Sequence, residues 1–199
     1  LGVLDAPTWW IVLHGYGQLA ADLASAARPL ASPTRCVVAP EGLSRFYIDD
    51  LDTHERVGAS WMTQEAREDE IHDYVRYLDA AVEHLSPPGS PPSIHVLGFS
   101  QGAATASRWA VHGDTPVDRL VLWGGAPAHD LDLSAHAEAL RSMALTLVIG
   151  TEDPHVTADR RRAVQARLNR HDIPVTVHTF DGGHRLDRDV LHTLAGSSV

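Results

Sequence analysis

Apolar positions along this chain fall into two rhythms. Short runs of strand-forming residues recur at 8–13 (Thr-Trp-Trp-Ile-Val-Leu), 35–39, 94–97, 119–123, 144–149 and 174–180. Between them, apolar residues return every three to four positions, the spacing that keeps one helical face dry. The clearest case is 63–85, where Ile71, Tyr74, Val75, Leu78, Val82 and Leu85 share a face. Acidic residues between Glu65 and Asp73 fall in its first turns, where the helix dipole favours them. Further helices are predicted over 18–30, 103–111, 157–170 and 187–194, with one short helix inside 124–141. Six strands alternating with helices predict an α/β fold: a mostly parallel sheet with helices on both faces, joined by right-handed crossovers. The stretch 43–62 follows neither rhythm and reads as irregular. It is too long for a simple connection, which makes it a functional candidate. The Pro-rich run 87–92 is stiff but too short to divide domains, so residues 1–199 read as one domain.

In open parallel sheets, ligands bind beyond the carboxyl ends of the strands. The polar punctuation of the chain falls there: His14-Gly15, Glu41, Ser100, Trp123-Gly124, Asp153 and His184. The most informative stretch is Gly98-Phe99-Ser100-Gln101-Gly102, a G-x-S-x-G placed between a strand and a small-residue helix. In that context the turn exposes a serine hydroxyl above the sheet, and the helix start directs free N–H groups at it.

A serine hydroxyl is a poor nucleophile unless a base takes its proton, and that base needs a third group to hold its tautomer. Thirteen histidines make composition uninformative, but His184 follows the last strand on the loop Asp181-Gly182-Gly183. Asp153, just after the strand 144–149, is the candidate acid, with Glu152 and Asp181 as rivals and His155 as a weaker rival base. The order Ser, Asp, His suits a nucleophile elbow. Two N–H donors are needed for the oxyanion; the amides of Gln101 and of Tyr16, in His14-Gly15-Tyr16-Gly17, are the candidates. Phe46, Trp61, Met62 and Trp123 are expected as walls of a substrate pocket, with Leu43 and Tyr47 beside them.

Composition narrows the classes. The net charge of −10 disfavours nucleic acid and anionic membranes as partners. No apolar run reaches the length of a membrane span, so stable insertion is not expected. All sixteen basic residues are arginine. The single cysteine, Cys36, lies in an apolar run and reads as a buried thiol; one cysteine suits a reducing, cytoplasmic setting. The sequence has no phosphate-binding P-loop, no dinucleotide fingerprint and no H-E-x-x-H, and no spacing suggests a metal site. No cofactor is expected. The expected partner is a small-molecule ester, and the expected state is a monomer or homodimer.

With these residues in hand, the chain resembles the phospholipase/carboxylesterase branch of the α/β-hydrolases, which includes bacterial carboxylesterases and acyl-protein thioesterases. The resemblance rests on Leu13-His14-Gly15-Tyr16-Gly17, Gly98-Phe99-Ser100-Gln101-Gly102, the Asp153 turn and Gly183-His184, in that order. It implies a minimal α/β-hydrolase core without a large cap domain. It also implies Ser100 as nucleophile, Asp153 as acid, His184 as base, and the Tyr16 and Gln101 amides as oxyanion hole. The implied function is serine carboxylester hydrolysis on small or medium acyl groups. The alternatives are a thioesterase, lysophospholipase or acyltransferase with the same triad, or a non-catalytic ligand-binding relative. Three positions depart from the family pattern: Gln18 stands where Asp is usual, Trp61-Met62-Thr63 where Trp-Phe-Asp is usual, and Trp123-Gly124 where Ser-Gly is common. A bulky Trp123 is expected to shorten the acyl pocket. The family's initial antiparallel strands are expected to be cut down to at most residues 1–4.

Overall fold

The computed structural model describes residues 1–49, 53–89 and 91–196. Eight strands and six helices follow in the order β1 (Thr8–Leu13), α1 (Ala20–Ala26), β2 (Arg35–Val38), β3 (Ser44–Tyr47), β4 (Val57–Ser60), α2 (Arg67–Leu85), β5 (Ser93–Phe99), α3 (Gln101–His112), β6 (Arg119–Trp123), α4 (Ala137–Arg141), β7 (Ala144–Gly150), α5 (Ala158–Asn169), β8 (Thr176–Phe180) and α6 (Arg188–Gly196). Six of the strands form one sheet in the order β2-β1-β5-β6-β7-β8, and every neighbouring pair is parallel. All six predicted strands are in it.

Alternation along each strand sends successive side chains to opposite faces. Trp9, Ile11, Leu13, Val96, Leu120, Leu122 and Leu147 pack under α2, α3, α4 and α5. Trp10, Val12, Leu97, Phe99, Val121, Trp123 and Val148 pack under α1 and α6. The chain winds one way from β1 to β2 and the other way from β5 to β8, so the direction reverses between β1 and β5. The carboxyl ends of those two strands therefore flank the crevice that such folds use for ligands.

Three local features differ from the sequence expectation. The stretch 43–62 is not wholly irregular: β3 and β4 pair antiparallel as a separate hairpin. It is tied to the loop after β1, where Gly17 N–H donates to Ala59 O and Ala59 N–H donates to Gln18 O. Helix α2 starts at Arg67 rather than at 63, because Ala66 adopts a left-handed conformation (φ 45°) and Thr63 N–H donates instead to the Glu70 carboxylate. Residues 1–4 form no strand, although Val37 N–H donates to Leu1 O. No described helix is long and apolar enough to cross a membrane.

Candidate active site

The turn from β5 into α3 is tight. A Cβ on Gly102 would lie 2.1 Å from the Leu13 carbonyl oxygen, and one on Gly98 would lie 2.1 Å from the Gly102 oxygen. Strand, turn and helix can approach this closely only with hydrogen at both positions. Ser100, between them, has φ 55° and ψ −115° and stands at the start of α3. A non-glycine residue in such a conformation costs about 1–3 kcal/mol and is retained where the surroundings over-determine it. Here Ser100 N–H donates to Trp123 O at 2.9 Å, and Gly15 closes on the serine from the β1 side. Ser100 Oγ itself has no hydrogen bond among the described residues, His184 included.

The candidate acid and base come from the loops after β7 and β8, which are laced together: Thr151 N–H donates to Phe180 O and Glu152 N–H to Gly182 O. The Asp153 carboxyl group is 1% exposed; one oxygen accepts the His155 N–H at 2.8 Å and the other lies 2.7 Å from His184 Nδ1. A carboxylate at that distance fixes the proton on Nδ1 and leaves Nε2 able to accept one. The His184 ring is 19% exposed and lies between Phe99 and His155, with ring centroids 4.8 and 4.7 Å away. Gly124 (φ 57°) lies against it; a Cβ there would meet His184 Cε1 at 2.9 Å. Glu152 and Asp181, the rival acids, are exposed, and neither bonds His184.

The loop after β1 is held from three sides. Gly42 N–H donates to His14 Nε2 and Trp61 Nε1–H donates to His14 O, each at 2.9 Å, while Gly15 N–H donates to the Gln18 side chain. Because Gly42 can only donate and Gly15 O can only accept, His14 carries its proton on Nδ1, 2.8 Å from Gly15 O. Burial pushes the His14 pKa down despite that bond and the nearby Glu41 carboxylate. Within this loop the Tyr16 N–H has no acceptor among the described residues, and neither has the Gln101 N–H at the start of α3. Gln18, where the family pattern has Asp, thus serves as an acceptor for the loop's own backbone.

The expected pocket walls divide. Phe46 stacks on the exposed Tyr16 ring (centroids 5.1 Å apart) at the mouth of the site. Met62 is half-buried, its carbonyl accepting from the Gln101 side-chain amide at 2.9 Å. Trp61 and Trp123, each 1% exposed, belong to the core rather than to a pocket wall. Trp61 braces the loop after β1. Trp123 lies on the face under α1 and α6, and its Nε1–H donates to Arg185 O at 2.9 Å, steadying the residue after His184. A cavity of about 280 Å³ beside His184 has apolar walls from Leu23, Ala26, Phe99 and Leu186 and polar ones from Gln18, Asp22 and Arg185. Its α1 side was not legible in the sequence, since Leu23 and Ala26 look like ordinary core positions.

Sequence reading also missed the Gln101 side chain. Its carbonyl accepts the Trp61 N–H and its amide donates to Ser60 Oγ and Met62 O, pinning the end of β4 to the nucleophile turn. No group of three or more metal-ligating side chains is found among the described residues.

A sequence profile of the family described as Phospholipase/Carboxylesterase matches residues 6–197. A comparison with curated proteins finds no match. Among solved structures, acyl-protein thioesterase 2 from Zea mays superposes with a TM-score of 0.72 at 16% identity, covering 96% of this chain and 91% of that one. A carboxylesterase from Mesorhizobium loti gives 0.69 at 20% identity, covering 97% and 90%. SOBER1 from Arabidopsis thaliana gives 0.70 at 15%, covering 94% and 95%. At these identities the likeness is one of fold.

Proposed function

This chain belongs to the phospholipase/carboxylesterase family, and from that premise we propose that it is a serine carboxylester hydrolase acting on small or medium acyl groups. The observation that carries the reading is the Asp153–His184 contact of 2.7 Å beside a serine held in a strained turn at the crevice between β1 and β5. Ser100 Oγ attacks the acyl carbonyl carbon as His184 Nε2 takes its proton. Asp153 keeps the Nδ1 proton in place and stabilises the imidazolium that forms. The carbonyl oxygen, now negative, accepts from the Tyr16 and Gln101 N–H groups, each such donor being worth about 2.7–4 kcal/mol of barrier. His184 returns the proton to the departing alkoxide, and water then cleaves the acyl-enzyme by the same path. No cofactor enters any step.

The cavity beside His184 supports short acyl groups, since its apolar wall is limited to Leu23, Ala26, Phe99 and Leu186 and is interrupted by Gln18, Asp22 and Arg185, which suit a long hydrocarbon chain poorly. A second reading, thioester hydrolysis, is favoured by the fold shared with the maize acyl-protein thioesterase. The test is a rate series on p-nitrophenyl esters from acetyl to dodecanoyl, run beside acyl-thioesters of the same lengths, with wild type and Ser100→Ala. A short-chain ester optimum that vanishes in Ser100→Ala, together with a fluorophosphonate adduct on Ser100, is expected. Thioester turnover exceeding ester turnover would move the assignment to the second reading. Ester hydrolysis that persists in Ser100→Ala would end both.

A further inference from the structure

At the amino-terminal end of the sheet, away from Ser100, the strands carry polar residues on a face that is otherwise apolar. Trp10, His95 and Arg119 are register neighbours across β1, β5 and β6, and Arg35, Thr8 and Ser93 across β2, β1 and β5. Five of these, Arg35, Thr8, Ser93, Trp10 and His95, open on a cavity of about 420 Å³ that is also lined by Leu194 and Ala195 at the end of α6. Four residues of β5 separate His95 from Ser100, five steps that span roughly 16 Å of extended chain.

The chemistry of the lining is one-sided. It contains hydroxyls, an indole, an imidazole and a guanidinium, and no carboxylate among the described residues that form it. Arg35 donates Nε–H to Leu30 O, while its two Nη groups have no acceptor among the described residues. The floor is polar yet unsatisfied: Trp10 Nε1 and His95 Nδ1 are both buried without a partner. Buried polar atoms are normally paired, so two adjacent orphans are unexpected in a floor built only for packing. Arg119 adds positive charge behind them, its guanidinium 5.5 Å from the Trp10 ring centroid and donating to Leu194 O. Asp118, behind Ser93, is engaged by Ser93 Oγ and the Ile94 N–H. Burial, and then the Arg119 charge, lower the His95 pKa to about 4, so the imidazole is neutral and Arg35 is the charged group of the lining.

We propose that this cavity is a second ligand site, separate from the hydrolytic centre, for a small organic anion bearing a carboxylate or phosphate group. Arg35 is the charge partner, Thr8 and Ser93 supply hydroxyls, the Trp10–His95 pair forms the floor, and Pro7 and Leu194 face the body of the ligand. A planar guanidinium with free Nη donors matches either oxyanion.

The test uses the full chain labelled with ¹⁵N, in which the five tryptophans give five indole N–H signals. Trp10 is identified by its loss in Trp10→Phe. Inorganic phosphate, phenyl phosphate and benzoate are titrated at a constant ionic strength of about 0.15 M, so that general screening does not change. Saturable movement of the Trp10 signal by at least one probe, with a dissociation constant of about 1 mM or tighter, is expected. Losing one charge-assisted contact should weaken binding about tenfold in Arg35→Ala. Arg35 is half-exposed, so Arg35→Ala is expected to fold. Ser100→Ala should bind as wild type does, so the outcome does not depend on the hydrolase reading. Preference for phenyl phosphate over benzoate, or the reverse, assigns the headgroup. No movement with any probe up to about 50 mM, linear movement without saturation, or equal affinity in Arg35→Ala would overturn the proposal.

Discussion

At the scale of single residues, the candidate site turns on which carboxylate faces His184. Asp153 is the one acid bonded to His184 among the described residues, while Glu152 shares its loop but points to solvent. Asp153→Asn keeps the shape and loses the charge and the tautomer control, so kcat should fall by up to about ten-thousandfold with KM little changed. Glu152→Ala should leave kcat within about twofold, as solvent-exposed substitutions away from a network usually do. Steady-state kinetics of the two variants on one ester decides the point; a crippled Glu152→Ala beside an active Asp153→Asn would reassign the acid. Gly124 offers a subtler check. A methyl group there would press on His184 Cε1 and Nδ1 and, at φ 57°, strain the backbone, so Gly124→Ala should slow both turnover and fluorophosphonate labelling of Ser100 without abolishing either. Labelling that is slow but runs to completion separates displacement of the candidate base from loss of the serine, which Ser100→Ala would abolish.

At the scale of elements, the loop 124–136 over the carboxyl end of the sheet is held by side chains from three helices. Arg108 of α3 and Arg67 of α2 both bind Asp130, and Arg167 of α5 donates to Ala128 O and Leu131 O. Arg108 is buried and also reaches Tyr74 Oη at 3.3 Å, so removing its carboxylate partner strands a cation. Asp130→Ala should therefore cost about 3 kcal/mol or more, read as a lower urea midpoint at unchanged slope. None of this was legible in the sequence, because Arg108 sits in a small-residue helix and Asp130 in a polar loop, and their partnership is set only by the tertiary fold. By contrast, the six sheet strands were legible because each is a short apolar run bounded by turn residues. The candidate triad positions were legible because they lie at strand ends, in the order a nucleophile elbow demands. The β3–β4 hairpin escaped because its partly exposed strands alternate weakly and its partner is the loop after β1, far away in sequence. The burial of Trp61 and Trp123 was not legible for a related reason: a tryptophan's place near strand ends does not say how deep its ring packs.

At the scale of the whole molecule, burying histidines makes stability depend on pH in a direction that can be worked out. His95 is held near pKa 4, by burial first and the Arg119 charge second, and His14 is lowered by burial. Unfolded, both titrate near 6.5. Above that value neither state binds the extra proton, and their neutral burial costs nothing. As pH falls below about 6.5 the unfolded chain takes up protons that the folded protein refuses, so stability declines until the folded groups also titrate. For His95 alone the loss between about pH 6.5 and 4 is on the order of 3 kcal/mol. Asp130 acts in a lower window. Burial by itself would raise its carboxyl group, but hydrogen bonds from Arg108 and Arg67 outweigh that and hold it well below the usual carboxylate range. Its contribution is intact above about pH 4 and is lost as pH falls further, toward the folded pKa. Urea unfolding measured every half unit from pH 8 to 3 should thus show two successive declines. His95→Gln should flatten the upper one and leave the lower, whereas Asp130→Asn should lower stability at neutral pH and flatten only the decline below about pH 4. A wild-type profile that is level from pH 7 to 4.5 would mean that the folded protein admits the proton, and that His95 is not buried in its neutral form.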